Sequence, residues 1–265
     1  MFTRKTDAFP SAPELAMPRL RVGSIRGEKG LIMRNLLIFG ALVAASAAPA
    51  FAQDVAISGN VALTTDYAFR GITQSDGSPA VQGGFDASFG NSGVYVGTWA
   101  SNINFGTGGA NLELDVYGGY KFAAGPVNFD VGVIGYLYPS ASDDGAELDY
   151  YEGYVKPSIA LSPQITLGGA LYYTPEFTGE LGDGIYYEVN GAYTVSPELS
   201  FSGAVGLQHV DTAGVFFGDD EYTTWNVGGT YSAMGLGFDL RYVATDVDNV
   251  PAFDDRVTFS IKKAL

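Results

Sequence analysis

The chemistry open to this chain is almost entirely that of oxygen ligands. Its 265 residues include 29 Asp and Glu but a single histidine and no cysteine. A zinc site or a thiolate nucleophile therefore has too few groups to be built from. No spaced Asp-x-Asp-x-Asn-Gly loop occurs, so neither a resident metal nor a cofactor is implied. His209 lies in Leu207-Gln208-His209-Val210-Asp211. It could serve a hydrolase only with a serine and an orienting third group beside it. No nucleophile motif supplies that serine, and no enzyme is expected.

The other charged residues fall into a pattern, and the pattern points to the elements that hold them. Apolar residues alternate with polar ones at period 2 along most of the chain, as strands with two unlike faces do. Phe238, Leu240 and Tyr242 oppose Asp239 and Arg241, while Leu112, Leu114 and Val116 oppose Glu113 and Asp115. Twelve strands follow: 54–69, 80–89, 93–103, 111–122, 126–137, 149–160, 164–174, 184–195, 198–209, 222–232, 234–245 and 255–265.

Their connections alternate in length. Gly90-Asn91-Ser92, Ala123-Ala124-Gly125, Ser162-Pro163, Ser196-Pro197 and Ala233-Met234 are tight turns. Between them lie longer loops at 70–79, 104–110, 138–148, 175–183, 210–221 and 246–254. A soluble sandwich varies its loops at both ends. An up-and-down barrel in an outer membrane has short periplasmic turns and long external loops. The sequence therefore predicts an all-β fold, a twelve-stranded antiparallel transmembrane β-barrel. Aromatic residues near strand ends are expected to form its interfacial girdles: Tyr67, Trp99, Tyr136, Tyr138, Tyr150, Tyr151, Tyr172, Tyr173, Tyr222 and Trp225.

The N-terminal region fits export. Met33-Arg34-Asn35 precedes an apolar core at Leu36–Ala45, and Ala50-Phe51-Ala52 supplies small residues for cleavage before Gln53. Residues 33–52 read as a signal peptide, and residues 1–32 as a mis-assigned start or a disordered extension. The barrel then occupies 53–265. It keeps 7 of the 14 basic and 26 of the 29 acidic residues, a formal charge of −19. Such a surface repels nucleic acid and attracts cations. The acidic runs Asp143-Asp144 and Asp219-Asp220-Glu221 lie in long loops, where they could hold Ca²⁺ or bridge lipopolysaccharide. Solvated loop charge is the plainer reading.

One stretch carries a resemblance. Thr65-Asp66-Tyr67-Ala68-Phe69-Arg70-Gly71-Ile72-Thr73-Gln74-Ser75-Asp76-Gly77, then Pro79-Ala80-Val81-Gln82-Gly83-Gly84 and Gly93–Asn102, resembles the TorF-type porins of proteobacteria. The resemblance implies a channel-like protein of the bacterial outer membrane and supplies no solute. Within the stretch, parity places Tyr67 and Phe69 toward lipid and Asp66 and Arg70 inward, with Gly71–Pro79 as an external loop.

Parity also assembles an inward set: Asp66, Arg70, Asp86, Glu113, Asp115, Asp130, Glu152, Lys156, Glu188, Asp239, Arg241 and Arg256. Charge at membrane depth must pair or meet water. Eight acids against four bases leave some acids without a basic partner, which argues for a wet, cation-favouring pore. Small cations or polar solutes are the expected passengers, with membrane lipid and lipopolysaccharide as surroundings. The competing reading is a plugged, non-conducting barrel whose acidic loops bind divalent ions, lipopolysaccharide or a partner.

Overall fold

The computed structural model describes residues 55–106, 109–141, 147–212 and 219–265. The expected leader, its cleavage site and the pair Asp143-Asp144 lie outside the described residues. Strand β1 (Val55–Thr64) is followed by two short strands, β2 (Ala68–Phe69) and β3 (Ile72–Thr73). The remaining strands are β4 (Ala80–Phe89), β5 (Val94–Asn102), β6 (Leu112–Ala124), β7 (Val127–Leu137), β8 (Tyr150–Ala160) and β9 (Ile165–Thr174). They continue as β10 (Gly184–Thr194), β11 (Leu199–Val210), β12 (Glu221–Ala233), β13 (Leu236–Thr245) and β14 (Arg256–Ala264).

All but β2 and β3 join one closed antiparallel barrel of twelve strands, each hydrogen-bonded to its neighbours in sequence. Closure comes from β14 returning to β1, with Ser260 opposite Thr64 and Ala264 opposite Asn60. The alternating pattern dictates the two faces. Ile57, Val81, Val116, Val133, Val189, Val205, Val227, Leu240 and Val257 all point outward and are exposed. A soluble monomer does not leave so continuous an apolar belt in water. Lipid is the solvent that suits it.

Aromatic belts are present, but their membership differs from the expected one. Tyr151, Tyr173, Tyr187, Trp225 and Tyr242 stand outward near the long-loop ends, and Tyr120, Tyr193 and Tyr231 near the short turns. Tyr136, Tyr138, Tyr150 and Tyr222 are instead buried, and Tyr67, Trp99 and Tyr172 also belong to the interior. Nearness to a strand end does not choose the face. Parity does, and Tyr136 shares the face of Asp130 as Tyr150 shares that of Glu152.

The larger correction concerns the first strand. It ends at Thr64, and the chain then leaves the wall. The Thr64 hydroxyl donates to the Asp66 carbonyl at 2.8 Å, which turns the backbone inward. Ala68 pairs with Thr73 and Phe69 with Ile72, leaving Arg70-Gly71 as a two-residue loop. Both have positive φ, 48° and 89°, as the tight hairpin turn matching strand twist requires. Gly71–Pro79 is therefore the return limb of a hairpin inside the barrel, and Tyr67 and Phe69 face protein. At Gly71 an added Cβ would collide with Thr245 Cγ2 and lie 2.6 Å from Thr224 Oγ1. Gly71→Ala is expected to cost about 1–3 kcal/mol, the scale of a strained backbone position. A detergent melting midpoint no lower than that of Gly77→Ala, which meets open space at φ 66°, would contradict this.

Candidate functional site

The hairpin hangs between β1 and β4 and reaches the far wall. Strand β8 lies five strands round the barrel in one direction and seven in the other. Arg70 spans that gap. Its Nη1 and Nη2 donate to Glu152 Oε1 and Oε2 at 2.8 and 2.6 Å, a two-pronged pair, and Nη1 also donates to Gln208 Oε1 at 2.9 Å. The guanidinium carbon sits 4.3 Å from the Tyr186 ring centre and 4.8 Å from those of Tyr172 and Phe69. Tyr136 donates to Glu152 at 3.1 Å, and Tyr222 donates to the Arg70 carbonyl at 3.0 Å. Burial opposes the Arg70 charge, but the Glu152 carboxylate outweighs it and holds the guanidinium above its ordinary pKa. One side chain thus ties the hairpin tip to β8 and β11, while its own carbonyl ties to β12.

Asp66 anchors the hairpin base. It accepts from Thr73 and Ser75 hydroxyls at 2.6 and 2.9 Å, and from Arg256 Nη1 at 2.9 Å. Tyr67 rests edge-on against Trp99 and donates to Glu113 at 3.2 Å. Phe69 packs on Tyr136, which stacks on Tyr150. Both limbs are therefore held by aromatic packing as well as by charge.

Below the hairpin the wall groups pair in smaller sets. Lys156 Nζ lies 3.9 Å from Asp130 and 4.0 Å above the Tyr154 ring. Asp130 also accepts from Tyr95 at 2.6 Å, Asp86 from Tyr117 at 2.8 Å, and Glu188 from Tyr186 at 2.9 Å. Arg241 contacts Asp239 at 3.1 Å, Asn226 at 2.6 Å and Ser202 at 2.9 Å. Glu113 and Asp115 face inward without an arginine or lysine on them among the described residues. A cavity of about 520 Å³ lies directly under Arg70, and one of about 720 Å³ opens toward the short turns.

The inward inventory drawn from sequence omits two bases. Lys121 lies over the Tyr95 ring at 4.5 Å, and Lys262 lines the lower cavity. Both share the parity of inward neighbours, Asp115 and Arg256, so the signal was present. Gln208, which completes the Arg70 clamp, shares parity with no charged neighbour and could not be singled out. His209 stands half-exposed, its Nε2 4.0 Å from Asp211 Oδ1. Among the described residues no serine hydroxyl is bonded to it. Asp219, Asp220 and Glu221 are exposed at the entrance to β12.

Solved structures share this architecture. The chain is similar to the NanC porin, at 12% identity over 79% of this chain and 98% of that one, with a TM-score of 0.52. It is equally similar to the KdgM porin solved with disordered oligogalacturonate, at 11% identity, the same coverages and a TM-score of 0.52. At such identity the likeness establishes the fold alone. No curated protein matches the sequence. A family model described as "Bacterial protein of unknown function (Gcw_chp)" matches residues 47–265, and the chain belongs to that family.

Proposed function

We propose that the chain is an outer-membrane porin of the TorF type, a narrow passive channel for small cations or neutral polar solutes. The hairpin β2–β3 constricts its long-loop mouth. The observation that carries this reading is the cavity of about 520 Å³ beneath Arg70, lined by Asp130, Lys156, Glu188, Asn190, Asn226 and Arg241. A barrel that served only as a scaffold would fill that volume with side chains, as small barrels do. Groups of this kind call for water.

The interior bias is acidic but mild. Eight inward acids are set against Arg70, Lys121, Lys156, Arg241, Arg256 and Lys262. Arg241 occupies the cavity wall and neutralises Asp239. Arg241→Ala is expected to raise single-channel conductance or cation preference in planar bilayers, leaving Asp239 to face the water. An unchanged current with an unchanged reversal potential would remove Arg241 from that role.

A second reading has its own support. The Arg70–Glu152 pair is buried and crosses the lumen, which suits a closed barrel. Its acidic loops would then bind divalent ions, lipopolysaccharide or a partner. Solute flux separates the two.

A further inference from the structure

Four of the inward acids, Asp66, Asp130, Glu152 and Asp239, lie against an arginine or lysine. Glu113 and Asp115 do not. They occupy positions i and i+2 on the inner face of β6, are only 2% and 6% exposed, and stand within hydrogen-bonding reach of each other. Glu113 Oε2 and Asp115 Oδ1 are buried and accept no hydrogen bond among the described residues. Among the described residues the donor to the pair is the Tyr67 phenol, 3.2 Å from the other Glu113 oxygen. Two buried carboxylates with one phenol donor between them and no counter-charge are costly if both are ionised. Something has to neutralise them.

The surroundings define what that is. Ser101 stands opposite Glu113 across the β5–β6 ladder, and Trp99 stands opposite Asp115. On the β7 side Tyr136 stands opposite Asp115 and Tyr138 lies near both carboxyls, so the polar groups around the pair include carboxylates, phenols and a hydroxyl, all hard oxygens. That donor set selects a hard cation over zinc or copper. With both carboxyls ionised the pair would carry −2, which one divalent ion cancels. Ca²⁺ accepts irregular shells of 6–8 oxygens, whereas Mg²⁺ needs a tight octahedron that two carboxylates on one strand do not pre-form. Glu113 is the second residue of β6, so an ion enters from the long-loop mouth.

We propose that Glu113 and Asp115 form a Ca²⁺ site under the base of the hairpin. The bound ion holds Glu113 in place for Tyr67 and so fastens the hairpin to β6, two strands from the β8 end of the Arg70 clamp. This site stands apart from Asp219-Asp220-Glu221 at the entrance to β12, and it does not depend on the pore reading.

The test uses the full barrel refolded in detergent, with Tb³⁺ as the probe. The chain has two tryptophans. Trp99 adjoins the site and Trp225 faces outward. Excitation of tryptophan should give Tb³⁺ emission that Ca²⁺ displaces and equal Mg²⁺ does not. Trp99→Phe should lose most of that emission yet keep the rise in melting temperature that Ca²⁺ confers. Glu113→Gln and Asp115→Asn should each lose both signals. Should either variant fail to fold, the other and Trp99→Phe still decide the matter. Emission that survives Trp99→Phe, or a melting temperature indifferent to Ca²⁺ and chelator in the parent protein, overturns the proposal. The latter result would leave the two carboxyls sharing a proton.

Discussion

Arg70→Ala is expected to unfasten the hairpin and raise single-channel conductance severalfold. The side chain supplies both prongs of the Glu152 pair, the Gln208 bond and three aromatic contacts. Its removal leaves Glu152, which is 0% exposed, without a counter-charge. Breaking a buried pair from one side costs about 3–5 kcal/mol. Release of the hairpin lets water reach Glu152, which relieves part of that cost and opens the mouth in the same movement. Arg70→Lys keeps the charge but not the fork and should sit between the two. The double variant Arg70→Ala with Glu152→Gln removes the orphaned charge. It should recover much of the stability while keeping the high conductance. Bilayer recordings alongside detergent melts would check both halves. A conductance that tracked stability instead of the clamp would count against the hairpin as the constriction.

The second large effect tests the outer face. Val189 sits at mid-strand on β10 and is 71% exposed, and Val227 on β12 is 58% exposed. On a soluble protein, arginine at such exposed sites changes stability by roughly 0.5 kcal/mol or less. Facing lipid at mid-depth it costs about 2–4 kcal/mol. Val189→Arg and Val227→Arg are each expected to show the larger loss when the barrel is unfolded from phospholipid vesicles by denaturant. Values near zero at both sites would mean that this belt does not meet hydrocarbon.

Much of this architecture is legible in the residues, and the parts that are not have a physical reason. The period-2 alternation and the short-long loop rhythm specify the barrel, because each strand must keep one face in lipid. They cannot follow the chain where it leaves the wall. Tyr67-Ala68-Phe69 continues the alternation of β1, so parity extended the strand five residues beyond Thr64. The departure is written in Arg70-Gly71-Ile72-Thr73 instead, where a positive-φ pair between two β-prone residues makes a hairpin. A loop that folds inward uses the same residues as a strand end until its partners are known. Tyr172 and Tyr186 likewise look like girdle or wall residues until Arg70 is found between them. Lys121 and Lys262 were within reach of parity, whereas the clamp role of Gln208 arises only from long-range contact.

Liposome swelling is the most direct measurement of the central claim, that the charged interior is a hydrated path narrowed by the hairpin. Vesicles carrying the parent barrel should admit small polar solutes slowly, and vesicles carrying a chain lacking residues 66–78 should admit them much faster. If solutes stay excluded from both while the proteins remain folded in the bilayer, the interior is not a path at all.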